Sequence, residues 1–154
     1  MNRLMTVDPG ISGSAYAVWN NKWQLVEAQN LYPSSEADSW EDACVSLSEK
    51  VAQLTIRHEV TVGAIEYPAY FASVSGEMVA KKGDLLKLTF LVGMLYCQFV
   101  ECTLVPVREW LGQLPKEVVE GRIRRILGAE ACKDFKSHTW YAVGIGLYLK
   151  GDFK

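Results

Sequence analysis

Two apolar runs in this chain each stop at an acid followed by a proline turn. Leu4 to Val7 ends at Asp8-Pro9-Gly10, and Val60 to Ile65 ends at Glu66-Tyr67-Pro68. Short β-rich runs halted in this way read as strands with a carboxylate at their C-terminal end, since proline lacks the N–H needed to continue a ladder. Ser14 to Trp19 and Trp23 to Leu31 read as two further strands turning at Asn20-Asn21. With the first run they form an antiparallel meander. Ser39 reads as an N-cap with Asp42 at the third helical position, followed by Trp40, Cys44, Leu47, Val51 and Leu54 on one helical face. After a loop at 69–76, Glu77 to Phe99 reads as a long apolar helix weakened by Gly83 and Gly93. Cys102 to Val105 is a strand closed by Pro106. Pro115, in a first turn, and Gly128 bracket a short basic helix, and Ser137 caps a last helix running to about Lys150. The order β-β-β-α-β-α-β-α-α, with right-handed crossovers, predicts an α/β fold. It is a mixed five-stranded sheet, three strands antiparallel and then two parallel, flanked by helices.

With 154 residues the chain has room for a single domain spanning 1–154. A hydrophobic content of 49% excludes disorder as the main state. No apolar run reaches the ~20 residues of a membrane span. Leu85 to Val100 comes nearest and is broken by Lys87 and Gln98. The N-terminal apolar stretch is too short for a signal-peptide core, so a cytoplasmic location is expected. Cys44, Cys97, Cys102 and Cys132 form no CxxC pair, and His58 and His138 complete no zinc pattern. Free thiols are expected.

The net charge of −2 argues against indiscriminate polyanion binding. Its distribution is uneven: 4 basic and 9 acidic residues over 1–76, then 10 basic and 8 acidic over 77–136. Such a division suits a nucleic-acid enzyme whose acids hold metal ions. Asp8 and Glu66 are the acids that carry this reading. Ligands of open α/β sheets gather outside the carboxyl ends of adjacent strands. If the first and fourth strands are neighbours, the two carboxylates converge. Converging carboxylates repel unless a cation lies between them, and hard oxygen donors suit Mg²⁺ or Mn²⁺. Two such ions can activate a water and stabilise the leaving oxygen of a phosphodiester.

Asp8-Pro9-Gly10-Ile11-Ser12-Gly13-Ser14-Ala15 resembles the first motif of the RuvC-type Holliday junction resolvases, in the retroviral-integrase/RNase H-like superfamily, and Ala64-Ile65-Glu66-Tyr67-Pro68 resembles the second. Gly76-Glu77-Met78 with Gly83-Asp84, Pro106 to Trp110 and Pro115 to Val118 look like segments of the small bacteriophage-encoded branch, and His138 to Leu147 is similar to its closing helix. The resemblance covers nearly the whole chain in order. It implies an RNase H-like fold and a homodimer binding four-way junctions. It also implies paired nicks made with Mg²⁺ or Mn²⁺, in a bacterial host's cytoplasm if phage-encoded. In such proteins the second major helix forms much of the dimer contact, here Glu77 to Phe99.

One departure stands out. The family's closing helix carries an Asp three residues after its opening His or Asp. Here His138 opens it and Tyr141 occupies the Asp position. A neutral phenol is a poor ligand for Mg²⁺. The expectation is therefore a metal-dependent endonuclease of impaired activity, with Asp8, Glu66, His138 and Tyr141 at the catalytic positions and Asp8 and Glu66 on the metal. The alternative is a junction-binding protein that does not cut. His138 is a ligand or orients the attacking water, and Asp134 is the nearest spare carboxylate. Arg108, Lys116, Arg122 and Arg125 are expected on DNA phosphates. Arg124, Lys133 and Lys136 are further candidates. Lys81 and Lys82 are expected to meet strands entering the site, and Tyr70 or Phe71 to stack on junction bases. A nucleotide-binding domain like that of the actin-like ATPases is a weaker alternative, as it needs a second phosphate loop that the chain lacks.

Overall fold

The computed structural model describes residues 3–67 and 78–153, with side chains for all of these except 78–82. Strands β1 (Arg3–Asp8), β2 (Ser14–Trp19) and β3 (Leu25–Leu31) precede helix α1 (Trp40–Arg57). Strand β4 (Val60–Tyr67), helix α2 (Met78–Tyr96) and strand β5 (Glu101–Pro106) follow. Helices α3 (Val107–Trp110), α4 (Lys116–Leu127) and α5 (Ser137–Lys150) complete the order, with a 3-10 turn at Glu130–Cys132. The sheet order is β3-β2-β1-β4-β5. The β1–β2 and β2–β3 pairs are antiparallel, and β1–β4 and β4–β5 are parallel. This is the mixed sheet expected from the sequence.

Alternation along the strands divides the interior into two cores. Met5, Val7, Tyr16, Val18 and Ile65 face α1 and α2, where they meet Cys44, Leu47, Val51, Leu91 and Leu95. Ala15, Ala17, Trp19 and Ala64 face the other way, toward Trp110, Ile123, Trp140, Val143 and Leu147. The closeness of α5 to the sheet requires two glycines. A Cβ at Gly146 would lie 2.2 Å from the Trp19 ring, and one at Gly144 would lie 2.6 Å from Trp110.

Local chemistry explains most boundaries. Ser39 caps α1 by accepting the Asp42 N–H at 3.1 Å, as its spacing predicts. β3 begins at Leu25 and not at Trp23. Asn20 Oδ1 accepts the N–H groups of Lys22 and Gln24, and Trp23 is held at a φ of 58°. Pro115 is the cap of α4 rather than part of its first turn. The short helix α3 was not expected; it buries Trp110 directly after Pro106. Ser137 is the first residue of α5, not its cap. The long helix ends at Tyr96, where the Gln98 side chain donates to Ser48 Oγ and to the Met94 carbonyl. The expected loop at 69–76 and Glu77 lie outside the described residues.

All four cysteines are free thiols; Cys44 and Cys132 are buried and Cys97 is exposed. No helix among the described residues is long and apolar enough to cross a membrane.

Candidate active site

β1 and β4 run parallel in register, with Val7 opposite Ile65. Asp8 and Glu66 each come one residue later, on the sheet face that packs against α5. Asp8 is 6% exposed. The turn after it is held by reciprocal bonds: Gly10 N–H donates to Ser14 Oγ at 3.1 Å, and Ser14 O–H donates to the Gly10 carbonyl at 3.0 Å. A side chain at Gly10 would meet the Gly13 carbonyl at 2.4 Å, which explains the glycine after Asp8-Pro9.

Helix α5 supplies the next groups. Thr6, two residues before Asp8, donates its hydroxyl to the Ala142 carbonyl at 2.6 Å and accepts from Trp19 Nε1 at 3.1 Å. The N-terminus of α5 has no side-chain cap of its own. Asn30 of β3 fills that role: its Oδ1 accepts from the Thr139 N–H at 3.1 Å and from the Thr139 hydroxyl at 2.6 Å. Next to Thr139, His138 places Nδ1 2.8 Å from Asp8 Oδ2. From α3, Trp110 donates its indole N–H to Glu66 Oε2 at 2.9 Å. The same ring meets Tyr141 edge-on, with centroids 6.0 Å apart.

The electrostatics follow from burial. Desolvation raises the Asp8 pKa, and the hydrogen bond and charge of His138 oppose that rise. Glu66 is pushed up to about 8, by burial first and by the Asp8 charge second, against the Trp110 bond and His138. His138 is raised, chiefly by its hydrogen bond to Asp8. Burial raises the Tyr141 phenol, and the charges of Asp8, Glu66, Glu120 and Glu117 add to the effect. The phenol therefore stays neutral beside the two acids and offers no anionic oxygen. Two buried carboxylates that resist ionisation together fit one divalent cation, which would relieve both burial and repulsion. Among the described residues no cluster of three or more His, Cys, Asp or Glu side chains suited to a metal occurs, so the site is a pair of carboxylates with His138 on one of them.

No family model matches the sequence, and no curated protein matches it. Solved structures do. Thermus thermophilus RuvC matches at 18% identity over 99% of this chain and 98% of its own, with a TM-score of 0.63. T. thermophilus RuvC in complex with a Holliday junction substrate matches at 17% identity over 98% and 96%, with a TM-score of 0.69. The fold is RuvC-like. At these identities the likeness extends to the fold and no further, but it does so end to end.

The remaining candidates are dispersed. Asp134 is exposed and lines a cleft along β3 with Asn30 and Tyr32. Arg108 is exposed at α3. Lys116 is exposed at the start of α4 and pairs with Glu120 at 3.7 Å. Arg122 lies over the Phe153 ring at 5.7 Å, and Arg125 is exposed. Lys81 and Lys82 belong to the first turn of α2, but their side chains lie outside the described set, as do Tyr70 and Phe71 altogether. Sequence reasoning assigned no role to Trp110 or Asn30. Nothing in the residues around Trp110 signals that its ring turns to Glu66. Nothing local marks Asn30, whose partner is 109 residues away.

Proposed function

We propose that this chain is a structure-specific endonuclease for four-way or otherwise branched DNA, slowed by Tyr141. The observation that carries the reading is the pair of carboxylates, Asp8 and Glu66, side by side at the ends of parallel strands in a RuvC-like fold. The solved neighbour bound to a Holliday junction supports branched DNA as the substrate class. Asp8 and Glu66 would hold Mg²⁺ or Mn²⁺, which when bound polarises a phosphodiester and lowers the pKa of water. His138 orients Asp8 and is positioned to hold a proton at Nδ1. Trp110 fixes one oxygen of Glu66. The assignment to a bacteriophage-encoded branch, and with it a bacterial cytoplasm, rests on the sequence segments alone.

A homodimer is part of the reading. α2 buries Leu91, Val92 and Leu95 against its own core yet leaves Leu86 at 65% and Phe90 at 49% exposure. Leu86, Phe90, Gly93 and Cys97 follow at helical spacing and are all exposed, which suits a second copy.

A second reading keeps the fold and the binding but not the cutting, and Tyr141 beside the acids favours it. One experiment separates the two. A labelled four-way junction and a linear duplex are incubated with the protein, with and without Mn²⁺. Metal-dependent cleavage of the junction alone supports the enzyme, binding without cleavage supports the second reading, and neither binding nor cleavage removes both.

A further inference from the structure

Helix α4 presents its basic residues in two directions. Lys116, Glu120 and Arg124 recur every four residues and so share one face. That face lines a cleft of about 460 Å³, with Lys133 and Ser137 across from it and Trp140 among its walls. Arg122 and Arg125 are not part of the cleft. The lining holds three cations and one carboxylate. Arg124 sits 5.0 Å above the Trp140 ring and 3.8 Å from Glu120, so its guanidinium is held in place and keeps donors to spare. Lys133 pairs with Glu130, whose side chain is 85% exposed and free to be exchanged for another anion. Ser137 opens α5, whose N-terminal dipole favours negative charge. Trp140 is only 4% exposed, so it forms a floor and offers no face for a base. Ser137 lines the cleft, and the next residue, His138, reaches Asp8 at 2.8 Å, which places one end of the cleft beside the Asp8–Glu66 site.

We propose that this cleft, through Lys116, Arg124, Lys133 and Ser137, binds consecutive phosphates of the DNA strand that leads to Asp8 and Glu66. The inference rests on the branched-DNA reading above and deepens it. It selects the Lys116–Arg124 face of α4 over the Arg122–Arg125 face.

The test is fluorescence anisotropy of a labelled four-way junction with the full chain in EDTA, over about 50–300 mM salt. Two double variants remove equal charge: Arg124→Gln with Lys133→Gln in the cleft, and Arg122→Gln with Arg125→Gln outside it. The cleft pair is expected to weaken binding about tenfold or more and to lower the salt slope by about two, one per phosphate contact. The outer pair should change affinity less than about twofold. Because Arg124 also packs on Trp140, Lys133→Glu serves as a second variant on an exposed turn. It should weaken binding several-fold with an unchanged melting temperature. Equal losses from both pairs, or no loss from Lys133→Glu, overturn the cleft while leaving the endonuclease reading intact. A wild-type chain that binds no junction at all overturns both.

Discussion

His138 and Asp8 lie 130 residues apart in the chain, and the imidazole Nδ1 rests 2.8 Å from the carboxylate Oδ2. The contact joins the first strand to the last helix at the buried end of the sheet. It also engages one of the two oxygens of Asp8. Trp110 engages one oxygen of Glu66 in the same way. Each acid thus has a fixed orientation and one oxygen left for a cation, which is the arrangement from which the following expectations come.

Tyr141→Asp should raise Mn²⁺-dependent junction cleavage by orders of magnitude, because it adds the anionic donor a second ion needs. Tyr141→Ala opens the same space without a ligand and should not. Both lose the edge-on contact with Trp110, a cost of about 0.5–1.5 kcal/mol. Asp8→Asn in the Tyr141→Asp background should abolish cutting. A parent chain that already cuts efficiently, unchanged by Tyr141→Asp, would show that Tyr141 is not at the third ligand position.

The metal-free protein should lose stability as pH rises. Glu66 moves from 4.5 to about 8 in the folded chain, and Asp8 and His138 are raised as well. Between 4.5 and 8 the folded state therefore binds more protons at Glu66 than the unfolded state, so its contribution, present at low pH, fades as pH approaches 8. The loss at pH 8 should be on the order of a few kcal/mol. Urea titrations at pH 5, 6, 7 and 8 measure it. Glu66→Gln should flatten the profile, and Mn²⁺ at pH 8 should restore stability. A flat profile for the parent protein would contradict the burial of these acids.

The exposed face of α2 should hold a two-fold dimer, burying on the order of 1,200–2,000 Å² in total. Leu86→Glu should give a monomer by analytical ultracentrifugation with little change in melting temperature, because Leu86 is 65% exposed within one copy. Adding Phe90→Glu also removes the edge-on contact of Phe90 with Trp40, a cost of about 0.5–1.5 kcal/mol. A parent chain that sediments as a monomer at micromolar concentration, with or without junction DNA, would remove the paired-nick mechanism.

Asn30→Ala should cost about 1 kcal/mol by removing the acceptor that caps α5. Amide exchange at Thr139 should accelerate well beyond that at Ala43 in the first turn of α1, which keeps its own Ser39 cap. Uniform acceleration across both helices would mean a global loss and no specific cap.

Elements whose causes are local were legible in the sequence. Alternating apolar runs, the Ser39 cap and the prolines after Asp8 and Glu66 act within a few residues of themselves, so strands, helices and the two acids at strand ends could be read directly. The element order leaves open whether β1 neighbours β4; the sheet order β3-β2-β1-β4-β5 puts them side by side. What required the tertiary structure was the company each side chain keeps. No pattern within reach of Trp110 announces a bond to Glu66 44 residues away, and Asn30 reads as an ordinary strand residue until α5 arrives. The exposed side of α2 also emerged only in three dimensions. Its apolar residues surround the helix, so periodicity cannot say which of them the core takes and which it leaves for a partner. Local steric and hydrogen-bonding preferences write secondary structure into neighbouring residues. Contacts across the sheet depend on chain path and packing, which no short stretch of sequence contains.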